Sequence, residues 1–263
     1  MSTLRRAYNS LFRIRFDRWQ DALVYRASTT VNLTRKLRNK QPASWHRKTL
    51  TATALFEGLS FRFYVAENSD YNVFMNPYFH EFDITGFVAK TLKPDDVFVD
   101  VGAHAGLYSI LAALKGAKVY SFEPNSLNLN FLASHLKMNG LEATVFPKAV
   151  SDYNGAFTLY YCADSTAFGS NCKGNRTECV NVEAVTLDSA LRNVESVSML
   201  KIDAEGCDYK VLKGAAETLR KTKFVITESC DEETTQLLET FGFKVSVFKP
   251  SGYLLASQHN ASP

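Results

Sequence analysis

Residues 96–106 have the sequence Asp96-Val-Phe-Val-Asp-Val-Gly-Ala-His-Ala-Gly106. The apolar run at 97–101 has the length of a buried strand, and it leads into a turn that contains two glycines. A helical stretch follows, and then a second apolar run at 119–122 ends on Glu123. This pattern predicts a strand–loop–helix–strand unit with its turn at the carboxyl end of the first strand. In open α/β sheets, ligands bind at that end of the strands.

The spacing of the turn indicates which ligand binds there. A dinucleotide fingerprint that starts at Gly102 needs glycine at positions 104 and 107, where this chain has His104 and Leu107. Asp100, in the preceding strand, would repel a pyrophosphate but suits a cation. Glu123 lies 21 residues after Gly102, where an acid can accept hydrogen bonds from ribose hydroxyls. These features favour S-adenosylmethionine, an adenosine that carries positive charge and no phosphate.

The composition predicts a cytoplasmic protein. Of the 263 residues, 46% are hydrophobic and 22% are charged, which is ordinary for a soluble globular protein. No apolar run approaches the roughly 18–20 residues that span a bilayer, and the start of the chain lacks a signal-peptide core. The five cysteines have no paired C-x-x-C spacing, which favours reduced thiols over a disulfide framework.

Basic charge is concentrated near the N-terminus. Residues 1–50 hold twelve Lys and Arg against two Asp, a net charge of +10, whereas the remainder has a net charge of −7. Apolar residues between positions 4 and 25 recur at helical spacing, which predicts a basic amphipathic helix. We expect a helical extension at 1–49 that packs on a Rossmann-like methyltransferase domain at 50–263. Peripheral contact of this extension with an anionic membrane is the alternative.

Strands and helices alternate along the rest of the chain. A short hairpin is predicted within 50–75, and two β stretches, 157–161 and 180–185, flank a long polar loop. The strands predicted for the main sheet are 97–101, 119–122, 143–149, 197–202, 224–227, 245–248 and 253–256, and the predicted helices are 77–93, 106–115, 126–139, 207–220 and 231–241. We therefore expect an α/β fold with a doubly wound, mostly parallel seven-stranded sheet of the class I methyltransferase type. Its last two strands form an antiparallel hairpin.

Four stretches of the chain resemble the FkbM family of S-adenosylmethionine-dependent methyltransferases. They are Phe98-Val-Asp-Val-Gly-Ala-His-Ala-Gly-Leu-Tyr-Ser109, Phe122-Glu-Pro-Asn125, Ala149-Val-Ser-Asp152, and Leu200-Lys-Ile-Asp-Ala-Glu-Gly206 with Val211-Leu-Lys-Gly-Ala215. The last block is the most distinctive. The family commonly has Asn where this chain has His104, and we expect the turn to survive because both residues tolerate a left-handed backbone. The resemblance implies methylation of a hydroxyl on a sugar, a glycoconjugate or a polyketide-like metabolite.

The turn and the family motifs together give the candidate cofactor ligands. These are Glu81, Asp100, Gly102, His104, Gly106, Glu123, Ser151, Asp152 and Asp203. By the resemblance, Asp152 contacts the adenine amino group and Glu81 lies near the methionine end of the cofactor.

Asp203 and Glu205 are the candidate catalytic residues. They follow the strand at 197–202, where the sheet opens toward the methyl group. A sugar or aliphatic hydroxyl is nearly all protonated at neutral pH, so a positioned base accelerates its methylation. Helix capping is the structural alternative for both acids. Glu228 ends the neighbouring strand, and a magnesium ion held by Asp203 and Glu228 is an alternative that is not favoured.

Two other functions stay open at the level of the sequence. The basic N-terminus would suit an RNA methyltransferase, but strand 197–202 ends in Asp203-Ala-Glu205 rather than in the Asn/Asp-Pro-Pro-Tyr/Phe typical of amino methylation of bases. A non-catalytic, cofactor-binding partner subunit is the second alternative, and the presence of both acids argues against it. We expect a small-molecule or glycan acceptor.

Overall fold

The structure, a computed structural model, describes residues 14–16, 50–65, 81–162, 168–169, 176–249 and 251–258. Its strands, numbered along the chain, are Ile14–Phe16 (β1), Leu50–Phe56 (β2), Leu59–Val65 (β3), Val97–Val101 (β4), Lys118–Phe122 (β5), Thr144–Phe146 (β6), Ala149–Val150 (β7), Gly155–Cys162 (β8), Phe168–Gly169 (β9), Arg176–Val185 (β10), Val197–Ile202 (β11), Thr222–Thr227 (β12), Phe243–Val247 (β13) and Leu254–Gln258 (β14). Its helices are Phe82–Thr91 (α1), Leu107–Leu114 (α2), Ser126–Met138 (α3), Leu187–Ala190 (α4), Asp208–Lys213 (α5), Ala216–Arg220 (α6) and Glu232–Thr240 (α7). The chain divides into two compact units, Met1–Phe82 and Asp83–Pro263.

The first unit contains a small antiparallel sheet in the order β1-β2-β3. The hairpin predicted within 50–75 is formed by β2 and β3. Its turn places Glu57 at φ 46° and Gly58 at φ 81°, the left-handed pair that a tight two-residue hairpin turn requires.

The prediction of an N-terminal helix is wrong at residues 14–16. These residues form β1, which pairs with β2 and sets Ile14 opposite Ala54. The sequence Ile-Arg-Phe alternates apolar and basic side chains, so it satisfies the period of a strand as well as that of a helix, and pairing with β2 decides between them. The rest of the predicted helix lies outside the described residues. Membrane contact through residues 1–49 stays a prediction, which co-flotation with anionic vesicles would test.

The second unit is built on a seven-stranded sheet in the order β13-β14-β12-β11-β4-β5-β6. The five strands from β12 to β6 in this order run parallel to one another, and β14 is antiparallel to both β12 and β13. The doubly wound fold and its antiparallel C-terminal hairpin are thereby confirmed. The chain moves outward from β4 through β5 to β6, and then returns to β11 on the other side of β4. The crevice between β4 and β11 is therefore the switch point of the sheet, where α/β proteins bind ligands.

Apolar side chains fill both faces of this sheet. Alternate residues of β4 and β11 point to opposite faces, as the pleat requires. One face packs against helices α5 to α7, and its buried members include Val99, Val101, Leu200, Ile202, Val211, Leu212, Leu219 and Leu238. The other face packs against α1 and α2, and its buried members include Phe98, Met199, Phe224, Ile84, Val88 and Tyr108. Burying each large side chain contributes roughly 1.5–3 kcal/mol, and this rigid core holds the carboxyl ends of the strands in place.

Two predicted elements are each divided in the structure. The strand predicted at 143–149 becomes β6 in the main sheet and β7 in a second sheet of order β7-β10-β8-β9, because Pro147 between them has no N–H to donate to a ladder. The helix predicted at 207–220 becomes α5 and α6, separated by Gly214. A Cβ at Gly214 would lie 2.2 Å from the Ser151 carbonyl oxygen. The main chains at Gly214 and Ser151 are therefore too close for a side chain at position 214. Among the described residues, no helix is both long enough and apolar enough to cross a membrane.

Candidate active site

The glycine turn closes the carboxyl end of β4 and leads into α2. Gly102 has φ 75°, and a Cβ there would lie 1.9 Å from the main-chain oxygen of Asp203. Gly106 has φ 95°, and a Cβ there would lie 2.4 Å from Leu132 Cδ1. Both glycines are thus required by backbone geometry and by close approach. His104 adopts φ 51°, so the turn keeps a left-handed residue at the position where the family commonly has Asn.

Glu123 lies at the end of β5 beside this turn. Its Oε2 accepts a hydrogen bond from the main-chain N–H of His104 at 2.8 Å, and its Oε1 accepts one from that of Asn125 at 2.8 Å. The side chain of Asn128 also donates to it. The residue is only 5% exposed, and burial raises its pKa to about 7 despite these donors. A carboxylate has about four acceptor sites, so Glu123 retains capacity for a ligand hydroxyl.

Asp100 is fully buried in β4 and only half satisfied. Its Oδ2 accepts a hydrogen bond from Ser109 Oγ at 2.6 Å, and that hydroxyl lies 2.7 Å from Ser121 Oγ. Its Oδ1 has no hydrogen-bond partner among the described residues. Burial raises the pKa of Asp100, and the charge of Lys201 opposes this shift. A buried acceptor without a donor costs about 1–3 kcal/mol, so this site fits a cationic or hydrogen-bond-donating ligand such as S-adenosylmethionine.

Asp203 is held at the switch point by two buried partners. Its Oδ2 accepts hydrogen bonds from Lys201 Nζ at 3.1 Å and from the Tyr253 hydroxyl at 3.1 Å. Lys201 is 2% exposed, and its Nζ also lies 4.6 Å from the centre of the Tyr108 ring. Burial raises the pKa of Asp203, but the charge and hydrogen bond of Lys201 and the Tyr253 hydroxyl outweigh it, so the net pKa is lowered. Asp203 is therefore ionised at neutral pH.

Three further acids surround Asp203. Glu205 is exposed and has φ 49° in the turn after β11. Glu228 follows β12 directly and is also exposed. Partial desolvation of its carboxyl, together with the charges of Asp203, Glu205 and Asp208, nevertheless raises its pKa to about 7. Asp208, at the start of α5, is buried and accepts hydrogen bonds from the main-chain N–H groups of Ala204, Glu228 and Ser229 and from the Thr227 hydroxyl.

Three other residues predicted as cofactor ligands are Asp152, Ser151 and Glu81. Asp152 follows β7 and accepts hydrogen bonds from Lys213 Nζ at 2.9 Å and from Ser151 Oγ at 3.3 Å. The hydrogen bond from Lys213 lowers the pKa of Asp152. Ser151 is buried next to Gly214. Glu81 belongs to the first unit and has φ 55°. The roles of these three residues at the cofactor stay predictions.

The acids do not form an evident metal site. Among the described residues, no group of three or more His, Cys, Asp and Glu side chains is arranged to hold a metal ion. The magnesium alternative at Asp203 and Glu228 therefore gains no support from the structure.

The model of the methyltransferase FkbM domain matches residues 100–254 of this chain. The chain belongs to the FkbM methyltransferase family. The match confirms the resemblance that the four sequence motifs indicate. In this FkbM-family protein it ends at Leu254, the first residue of β14.

Three relatives of this FkbM-family protein carry the names of methyltransferases. Hexuronic acid methyltransferase AglP of Haloferax volcanii is 25% identical over 150 residues, which cover 56% of this chain and 62% of the relative. The 2-O-methyltransferase NoeI of Sinorhizobium fredii is 27% identical over 162 residues, covering 54% and 66% of the two chains. The 31-O-demethyl-FK506 methyltransferase FkbM of Streptomyces tacrolimicus is 25% identical over 194 residues, covering 59% and 75%. The chain thus spans less than two thirds of the length of the first two.

Sequence reasoning missed three residues that organise the site. Lys201 could have been found, because it is a charged residue inside the otherwise apolar run of β11. Asp208 gives a weaker signal, since an acid in the first turn of a helix is ordinary. Tyr253 gives no local signal at all, because its hydroxyl reaches Asp203 across fifty positions of sequence.

Proposed function

We propose that this protein transfers a methyl group from S-adenosylmethionine to a hydroxyl oxygen of a sugar-like or polyketide-like acceptor. Membership of the FkbM family supports the reaction class. The observation that carries the cofactor assignment is the pair of buried carboxylates, Asp100 and Glu123, at the carboxyl ends of β4 and β5. They border a turn that lacks the glycine pattern of dinucleotide sites.

Carboxylates provide the main cofactor contacts in this proposal. Glu123 accepts hydrogen bonds from the ribose hydroxyls, and Asp100 offers its unpartnered Oδ1 to a donor of the cationic ligand. The remaining contacts follow the family pattern and involve Glu81, Gly102, His104, Gly106, Ser151, Asp152 and Asp203.

Alignment of the acceptor is the main catalytic task of the protein. When bound, the cofactor supplies an electrophilic methyl group, so the enzyme has only to direct an oxygen toward it. Positioning of this kind can supply up to about 7–11 kcal/mol of the barrier. Asp203 is ionised at the switch point of the sheet, and it accepts a hydrogen bond from the acceptor hydroxyl and orients it. Glu205 contacts the acceptor from the same edge of the sheet.

The names of the relatives support a hydroxylated acceptor. They include a hexuronic acid methyltransferase, a 2-O-methyltransferase and a methyltransferase of 31-O-demethyl-FK506. RNA methylation is not favoured, because β11 leads into Asp203-Ala-Glu205 rather than into a motif for amino methylation of bases.

A transfer assay with a labelled methyl group tests this proposal. The panel contains methyl glycosides of a hexuronic acid and of a neutral hexose, a macrolide alcohol, and a short RNA. We expect label in at least one hydroxylated compound, none in the RNA, and a large loss of transfer in the Asp203→Asn variant. Label in the RNA alone would establish the nucleic-acid alternative. Cofactor binding without transfer to any compound would favour the partner-subunit alternative.

A further inference from the structure

Glu228 and Asp203 form a pair of acids at the ends of two adjacent strands. Asp203 follows β11 and Glu228 follows β12, and these strands pair in parallel with Ile202 opposite Thr227. Desolvation and the nearby charge of Asp203 both raise the pKa of Glu228. Both acids therefore lie at the carboxyl edge of the sheet, beside the switch point where the acceptor has to meet the cofactor.

The main chain of Glu228 is fixed more firmly than that of an ordinary exposed residue. Its N–H donates to Asp208 Oδ2 at 3.1 Å and lies 3.3 Å from the Ile202 carbonyl oxygen. Asp208 is itself buried and receives a hydrogen bond from the Thr227 hydroxyl at 2.7 Å. Asp208 is thus a positioning residue that holds the end of β12 against the start of α5. The Glu228 carboxyl projects from this anchored point.

The two acids of the pair have opposite surroundings. Asp203 is bound to the Lys201 ammonium and the Tyr253 hydroxyl, which stabilise its ionised form and make it a poor proton acceptor. Glu228 faces the charges of Asp203, Glu205 and Asp208, which disfavour its ionised form. Two acids whose surroundings push their proton affinities apart typically divide the roles of base and electrostatic partner between them.

We propose that Glu228 is the catalytic residue that accepts the proton of the acceptor hydroxyl, while Asp203 orients that hydroxyl. This inference rests on the proposed methyl transfer. As the bond between the acceptor oxygen and the methyl carbon forms, the carbon–sulfur bond breaks and its electron pair stays on sulfur. The hydroxyl proton passes to the ionised Glu228 carboxylate, so the products are a methyl ether, a neutral thioether and a protonated Glu228.

The proton affinity of Glu228 supports this role. Its pKa of about 7 is close to neutral pH, and a general base is most effective when its pKa lies near the pH at which the enzyme works. Besides Asp203, Glu205 and Asp208, the titratable groups nearby among the described residues include Cys230, whose pKa is raised by burial and by the charges of Asp231 and Glu228. They also include Lys201, Tyr253 and His104, which act on Asp203. Because Glu228 works in its ionised form, activity should rise with pH through this range and level off above it.

The first arm of the test needs neither cofactor nor acceptor. Carboxyl-carbon NMR of the full chain follows the titration of Glu228, assigned by the resonance that disappears in Glu228→Gln. We expect a midpoint near pH 7, which moves down toward the ordinary value of 4.5 in Asp203→Asn because a neighbouring negative charge is removed. A midpoint below about 5 in the wild-type protein would overturn the inference.

The second arm separates Glu228 from the proposed function as a whole. Glu228→Gln should lower kcat about 10²–10⁴-fold and abolish the rise of kcat with pH at saturating cofactor, while the affinity for S-adenosylhomocysteine stays within threefold. Glu233→Gln, an exposed glutamate in the first turn of α7, is the matched control and should behave as the wild type. Three results would refute the assignment. Glu228→Gln could transfer methyl groups at the wild-type rate, or it could lose cofactor affinity in parallel with activity. The third is loss of wild-type activity on chelation with recovery on addition of magnesium. A wild-type protein that does not bind S-adenosylhomocysteine would instead refute the proposed function.

Discussion

Lowering the pH from 8 to 6 should weaken cofactor binding about tenfold, and the cause should be Glu123. Both of its carboxyl oxygens already accept hydrogen bonds, from the main-chain N–H groups of His104 and Asn125. The ribose hydroxyls are donors, so they bind the ionised carboxylate better than the protonated carboxyl group. With a pKa of about 7, this group is about nine-tenths ionised at pH 8 and about one-tenth ionised at pH 6. The ratio of these fractions sets the expected change in affinity.

Calorimetric titration at pH 6, 7 and 8 measures this effect. S-adenosylhomocysteine is the main ligand, and 5′-methylthioadenosine, which lacks the amino-acid end, isolates the contribution of the ribose and adenine. Binding at pH 6 should release a proton from Glu123. The buffer takes up this proton, so the measured heat of binding should change with the ionisation enthalpy of the buffer. Glu123→Ala should bind more weakly and without the pH dependence. The control Glu183→Gln, which removes an exposed acid from the second sheet, should keep it. An unchanged affinity of the wild type between pH 6 and pH 8 would refute the reasoning.

Three substitutions test the framework of the site. In a urea titration, Gly102→Ala should lower the unfolding free energy by roughly 2–6 kcal/mol, because of left-handed strain and the clash with the Asp203 main chain. The control Gly140→Ala should cost less, because Gly140 is also left-handed but has open space around it. Lys201→Met should cost about 3–5 kcal/mol at pH 7, and this loss should shrink toward pH 5, since protonation relieves Asp100 and Asp203 of their unpaired charge. Asp203→Asn should lower turnover about 10²-fold or more, because the acceptor hydroxyl is less well oriented, while calorimetry shows cofactor affinity within a few-fold of wild type.

The parallel core of the fold is predictable because its signals are local. β4, β5, β11 and β12 are mostly apolar runs bounded by turns, and their observed bounds lie within two residues of the predicted ones. Burial on both faces of a parallel sheet requires such runs. The glycine turn is equally local, since each glycine is dictated by a left-handed backbone and a close neighbour.

The wrong or missed predictions concern places where contacts between distant parts of the chain decide the structure. Ile14–Phe16 fits either a helix or a strand, and only the partner strand β2 selects between them. The break between α5 and α6 lies at Gly214, which approaches the main chain of Ser151, more than sixty positions earlier. In the site, Asp203 and Glu228 are predicted to be neighbours because each follows the end of one of two adjacent strands. Nothing local indicated that Tyr253 would bind Asp203, since that contact requires the antiparallel placement of β14.

The central claim is that the glycine turn and Glu123 form a site for S-adenosylmethionine rather than for a dinucleotide. Calorimetric titration of the full chain with S-adenosylhomocysteine and with NAD tests it most directly. We expect S-adenosylhomocysteine to bind, NAD to give no heat of binding, and Glu123→Ala to lose about 1.5–3 kcal/mol, roughly ten- to a hundred-fold in affinity. Binding of NAD without binding of S-adenosylhomocysteine, or an unchanged affinity in Glu123→Ala, would contradict the account.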